Sequence, residues 1–180
     1  MRILAISGSL RFISFNTAAL QAAVTLAPAD VEIVLYPGLG SLPHFNPVRD
    51  GDEPPEIVKA LRREVGLSDG LLIAAPEYAH GLPGSFKNAL DWLVSCVEFP
   101  GKPVALINTS QRAIHAQGQL REIIETMSAR LISSASITLP LMGRNPDAAG
   151  ILTDPELSAQ LQGALVTFAA EIRALKAIMI

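Results

Sequence analysis

Polar side chains crowd one short stretch near the start of the chain. In "SGSLRFISFN", residues 7–16, the hydroxyls of Ser9 and Ser14, the guanidinium of Arg11 and the amide of Asn16 follow directly on the apolar "MRILAI". An alanine-rich run, "TAALQAAVTLA", comes next. Asn16 is of the right type to cap a helix starting at Thr17, whose first-turn N–H groups then face the loop. A helix N-terminus carries roughly half a positive charge, so a phosphate is stabilised there without a metal. One cation against a dianion leaves much of the binding to backbone and hydroxyl donors, which suits a phosphate monoester in a neutral cradle. The GK[ST] ending of a nucleotide P-loop is missing, and Gly8 is the loop's single glycine, so a GxGxxG pattern is missing too. The structural alternative is an ordinary polar turn with a capping Asn.

A second loop, in "APEYAHGLPGSFKNALDWL", has Pro76 ending a strand, Gly81 and Gly84 permitting tight backbone, and Pro83 leading into a helix. Successive exposed N–H groups there suit the carbonyl and ring-nitrogen edge of a flat heterocycle. Glu77 is short of any basic neighbour, and Tyr78 offers an aromatic wall. Read structurally, Glu77 is a solvated acid, His80 a surface residue and Trp92 a core filler. A third loop reads "TSQRAIHAQGQ".

The elements that must position these loops are strands at 2–7, 31–36, 70–75, 103–109 and 134–139, most of them apolar on both faces. Helical periodicity runs through 57–65, through 120–131 (Leu120, Ile123, Ile124, Met127, Leu131) and through a last helix from Leu157 to Leu175, opened by "TDPE". Residues 36–56, rich in proline and glycine, form a surface loop. Five strands alternating with five helices predict a doubly wound α/β sandwich, whose ligands sit beyond the carboxyl ends of the strands. The loops after strands one, three and four are the three just described.

Bulk properties narrow the partners. With 180 residues, 49% hydrophobic and 17% charged, the chain is globular and fits one domain, 1–180. A net charge of -3 argues against nucleic acid, and no apolar run reaches the ~18 residues of a membrane span. The N-terminus turns polar too soon for a signal peptide, and one cysteine, Cys96, fits a reducing cytoplasm. Three scattered histidines show no metal-ligand spacing.

Taken together, "GSLRxxSxN" after the first strand and "PEYxxGxPGxxKNALDW" after the third resemble the NADPH-dependent FMN reductase family, flavoproteins that include quinone, azo and chromate reductases. The resemblance implies a flavodoxin-like three-layer sandwich with a five-stranded parallel sheet of order 2-1-3-4-5. It implies FMN as cofactor, with its phosphate held by Ser9, Arg11, Ser14, Phe15 (through its amide) and Asn16. Pro76, Glu77 and Tyr78 match the segment that holds the isoalloxazine and ribityl parts. Ala79 stands where many members carry Asn, so a side-chain hydrogen bond is lost there. Ser110 matches the start of a turn that is usually glycine-rich, but here only Gly118 remains and Gln111, Arg112 and Ile114 add bulk. Arg112 either serves the 2′-phosphate of NADPH or is solvated. The implied reaction is a ping-pong hydride transfer from NADPH or NADH through FMN to a quinone, flavin, azo compound or oxyanion, with no dedicated acid or base. An FMN-binding electron carrier or non-catalytic flavin module is the alternative. In relatives the helices matching 84–95 and 119–131 pair between subunits, which implies a homodimer or dimer of dimers with Trp92 or Met127 near the seam.

Overall fold

Alternate residues of a strand point to opposite faces, so a strand that is apolar throughout demands cover on both sides. The computed structural model, which describes residues 1–178 apart from 52, 142, 145 and 146, supplies that cover. Its parallel sheet is built from β1 (Arg2–Ser7), β2 (Glu32–Leu35), β3 (Gly70–Ala74) and β4 (Pro103–Asn108). Two short pieces, β5 (Arg130–Leu131) and β6 (Ile137–Thr138), both pair with β4. The order β2-β1-β3-β4-β5 is the expected one. Ile3, Ala5, Leu72, Ala74, Ala105 and Ile107 pack into one core under α1 (Phe15–Leu26), α5 (Ala148–Thr153) and α6 (Pro155–Ile178). Leu4, Ile6, Leu71, Ile73, Val104 and Leu106 pack into the other, under α2 (Glu56–Gly66), α3 (Gly84–Leu93) and α4 (Ile114–Thr126). The buried face of α1 is mostly alanine (Ala18, Ala19, Ala22, Ala23), which lets the helix lie close over the sheet and touch all four long strands.

Element bounds depart from the sequence expectations in four places. The strand expected at 134–139 shrinks to β6: its first residues lie in a 3-10 turn at Ser133–Ala135, which separates β6 from an unexpected β5. Ser136 bridges the gap, its Oγ accepting from the Leu106 N–H at 3.1 Å and donating to the Ile132 carbonyl at 2.9 Å. The periodicity of 120–131 also overran its helix, because α4 occupies 114–126. Ser128, at φ +61°, ends it in a left-handed residue, and the Ala129 N–H closes back on the Ile124 carbonyl at 3.1 Å. Leu131 therefore lies in β5. Helix α5 is too short to show a period; Asp147 caps it, accepting from the Gly150 N–H at 2.8 Å. The fourth departure, at the start of α1, belongs to the site.

The "KNALDW" part of the second motif has a structural role. Asn88 and Trp92 both donate to the Pro43 carbonyl, at 3.0 and 2.8 Å, and Asn88 Oδ1 accepts from the Phe45 N–H at 2.7 Å. These bonds pin the long irregular segment against α3, with Phe45 edge-on to Trp92 at 5.1 Å. Trp92 is fully buried within the chain and belongs to the core.

Ser136→Ala leaves the Leu106 N–H without an acceptor inside the sheet. The expected loss is about 1–2 kcal/mol of unfolding free energy, seen as a lower urea midpoint at unchanged slope.

Candidate functional site

The chain leaves β1 toward β2 at one edge and returns to β3 on the other side of β1, so the loops after β1 and β3 diverge from neighbouring strand ends. They are drawn together at Gly8. Its N–H continues the ladder to the Ala74 carbonyl at 2.8 Å, and a Cβ there would stand 2.7 Å from the Ala75 Cβ and 3.2 Å from Phe86. Only glycine permits that approach. A cavity of 310 Å³ opens between these loops and the segment after β4, within the range of small-ligand sites.

The first loop lines one end of this cavity with Ser9, Arg11, Ser14, Phe15 and Asn16. The helix begins two residues earlier than expected. Ser14, not Asn16, is the N-cap of α1, its Oγ accepting from the Thr17 N–H at 3.4 Å. Asn16 lies inside the first turn and is 4% exposed, and its Oδ1 accepts from the Thr109 hydroxyl at 3.1 Å, tying the loop to the end of β4. Ser9 Oγ accepts from the Arg11 N–H at 3.3 Å, which fixes the loop's path. Among the described residues nothing accepts from the N–H groups of Phe15 and Asn16, and the Arg11 guanidinium has no partner. Donors without acceptors, at the positive end of a helix, are the chemistry of an anion site.

Pro76, Glu77 and Tyr78 line the adjoining wall, with Ala75 behind them. Glu77 is not a solvated acid: its Oε2 accepts from the Ala116 N–H at 2.9 Å and thereby caps α4, which has no side-chain cap of its own. A second tie runs from the Leu82 N–H to Gln119 Oε1 at 2.9 Å, and a third is the stack of His80 on His115, rings 4.4 Å apart and 10° from parallel. Between them Tyr78 and Gly81 exchange both backbone hydrogen bonds at 3.0 Å across a two-residue turn. Its central residues, Ala79 at φ +48° and His80 at φ +60°, carry the positive-φ signature of a type I′ turn. Ala79 lies in this turn, outside the lining of the cavity.

The third wall holds Ser110, as expected, together with Asn108, Thr109, Arg112 and Ala113. Asn108 Oδ1 accepts from the Ser110 N–H at 3.1 Å and Ser110 Oγ from the Arg112 N–H at 3.2 Å, so consecutive side chains shape the turn that glycines would otherwise form. Asn108 and Thr109 were not singled out in the sequence. Their signal was two polar residues closing an otherwise apolar strand. Elsewhere, burial and a hydrogen bond to Glu98 push the Cys96 thiol up to about 11, which makes it inert. No group of three or more metal-ligating side chains occurs among the described residues, and none of their helices is long and apolar enough to cross a membrane.

Comparison with known proteins bears directly on this geometry. The sequence profile of NADPH-dependent FMN reductases matches residues 1–141. A 2-hydroxy-1,4-benzoquinone reductase from Burkholderia is 33% identical over 179 residues, covering 96% of this chain and 97% of that protein. The quinone reductase of Escherichia coli K12 is 30% identical, covering 98% and 97%. The solved structure of FerB, a flavoenzyme NAD(P)H:(acceptor) oxidoreductase from Paracoccus denitrificans, superposes with a TM-score of 0.84 at 30% identity, covering 96% of this chain and 97% of that one.

Two outcomes test the second wall. Glu77→Ala removes the cap of α4 and is expected to lower unfolding free energy by about 1 kcal/mol, whereas Glu77→Gln, whose amide oxygen still accepts, retains most of it in denaturant titration. Ala79→Asn, better suited to a left-handed position, is expected to stabilise by about 0.5–1 kcal/mol and raise Tm by roughly 2–3 °C in calorimetry.

Proposed function

Because the chain belongs to the NADPH-dependent FMN reductase family and is an NAD(P)H-dependent flavin oxidoreductase, we propose that the cavity between its three loops is where FMN binds. The observation that carries this is the set of unmet donors at one end of it. The N–H groups of Phe15 and Asn16 and the guanidinium of Arg11 have no acceptor among the described residues, and the hydroxyls of Ser9 and Ser14 lie beside them. Such a set fits a phosphate monoester: charge-assisted bonds from one guanidinium, the helix N-terminus and neutral donors around it. The rest of the cavity fits a flat ring system, with Pro76–Tyr78 along one side and Ser110 opposite. Glu77 is already satisfied by α4, so its charge is offset by a helix N-terminus instead of opposing the phosphate. Ala79 acts through the backbone of its turn.

Hydride transfer between NAD(P)H and an oxidised acceptor is the chemistry that FMN supplies when bound. The chain's part is to bind, orient and exclude. We assign a quinone-type acceptor as the principal class, supported by relatives named for quinone and hydroxybenzoquinone reduction. We further place the protein in the cytoplasm as one flavin-binding domain over 1–180 that assembles as a homodimer. The apolar residues of α3 are covered within the chain, whereas Leu10, Phe12 and Ile13 stand exposed on the first loop, which supports a subunit contact beside the cavity.

The test is the absorbance of the purified protein mixed with FMN, followed by anaerobic titration with NADPH. A bound yellow chromophore that bleaches is expected; a protein that binds no flavin at saturation overturns the reading. Arg11→Ala is expected to weaken FMN about ten- to a hundredfold while leaving riboflavin binding nearly unchanged, measured by fluorescence quenching.

A further inference from the structure

Two guanidinium groups without partners among the described residues line the cavity, one on the first loop and one on the segment after β4. Arg11 belongs to the first loop, and the functional reading above gives it the flavin phosphate. Arg112, on the segment after β4, has no carboxylate or other side-chain partner among the described residues. It also borders a second cavity, of 330 Å³, shared with Ser110 and walled by Gln111, Pro140 and Gly143. The two cavities therefore meet at Ser110 and Arg112. No acidic residue lines the second one. Arg144, the residue after Gly143, is already paired with Asp154 at 3.1 Å and Glu156 at 3.7 Å.

We propose that Arg112 and the adjoining cavity receive a phosphate group of the nicotinamide dinucleotide, making Arg112 a specificity-determining residue for the reductant. The inference rests on the functional reading of the first cavity. A monoester flavin brings one phosphate, and the donors at the start of α1 satisfy it. A second guanidinium, that of Arg112 on the segment after β4, has no partner among the described residues and is left for a second anion. Of the two reactants, a small quinone-type acceptor carries no phosphate and spans little more than the ring site. A dinucleotide is long enough to lie over the ring and continue into a neighbouring depression. Its anionic groups, the pyrophosphate and, in NADPH, the 2′-phosphate, are the groups that a planar guanidinium fork binds best.

The experiment uses the flavin-loaded protein and its Arg112→Gln and Arg112→Lys variants. Flavin content is measured first, so that a failure of the functional reading, no flavin bound in any form, is seen separately from a failure here. Steady-state rates with NADPH and NADH, calorimetric binding of adenosine 2′,5′-bisphosphate and of 5′-AMP, and the flavin midpoint potential are then compared. Loss of one charge-assisted contact is expected to raise the reductant KM about tenfold in Arg112→Gln, with kcat, acceptor KM and potential unmoved and partial recovery in Arg112→Lys. A rise confined to NADPH, with weaker binding of the 2′,5′-bisphosphate alone, assigns the 2′-phosphate; an equal rise with NADH assigns the pyrophosphate. Unchanged reductant KM and nucleotide affinity in a flavin-loaded variant overturn the proposal. So does an effect falling on the acceptor KM or the potential instead, since Arg112 then serves the acceptor or the reduced ring.

Discussion

Where β1 ends, the backbone of Gly8 passes so near Ala75 that no side chain fits between them, and its N–H still holds the Ala74 carbonyl. Everything in the site depends on that approach. It brings the departure of the first loop and that of the loop after β3 to a common point. The alanine face of α1 then carries the helix down onto the sheet, so that its N-terminus opens at the same place. Asn16, buried in the first turn, reaches across to Thr109 and adds the end of β4 to the assembly. Three strand ends thus converge on one cavity through contacts that are mostly backbone or small side chains, which cost little side-chain entropy to order.

Charge in this cavity is arranged by partners, not by counts. The whole chain is mildly acidic, yet among the described residues the cavity has two guanidinium groups without partners and one carboxylate, and that carboxylate is turned onto the first turn of α4. The net effect is an anion-receptive cleft in a protein of negative overall charge. A helix N-terminus that attracts Glu77 and another that is left open do opposite jobs on one cavity. The first uses its donors to hold the architecture; the second leaves the Phe15 and Asn16 N–H groups without an acceptor among the described residues.

Much of this was legible from residue order, and the gaps have physical reasons. Strands covered on both faces announce themselves by unbroken apolar runs, which is why β1, β3 and β4 matched expectation closely. The polar cluster of the first loop stood out because it breaks in between an apolar strand and an alanine-rich helix, and its residues do line the cavity. Its capping residue was misplaced because Ser14 and Asn16 are equally good caps by type, and only the backbone at Ser14, extended at φ −141°, distinguishes them. The end of α4 was hidden because the left-handed residue that stops it is Ser128, with no glycine or proline to mark the place. The role of Glu77 was out of reach for a different reason. Its partner lies 39 residues away, and no local pattern encodes a contact that the sheet topology creates.

The broken final strand has a consequence of its own. A sheet that stops at β4 with a long straight neighbour would present a continuous row of open amides and carbonyls to other molecules, an invitation to edge-to-edge aggregation. Here that margin consists of two fragments of two residues each, separated by a turn in which Ser133–Ala135 bend away and Ser136 turns its hydroxyl inward to Leu106. A foreign strand therefore finds no register to extend. The interruption that defeats a sequence-based strand assignment also keeps the sheet from growing past this edge.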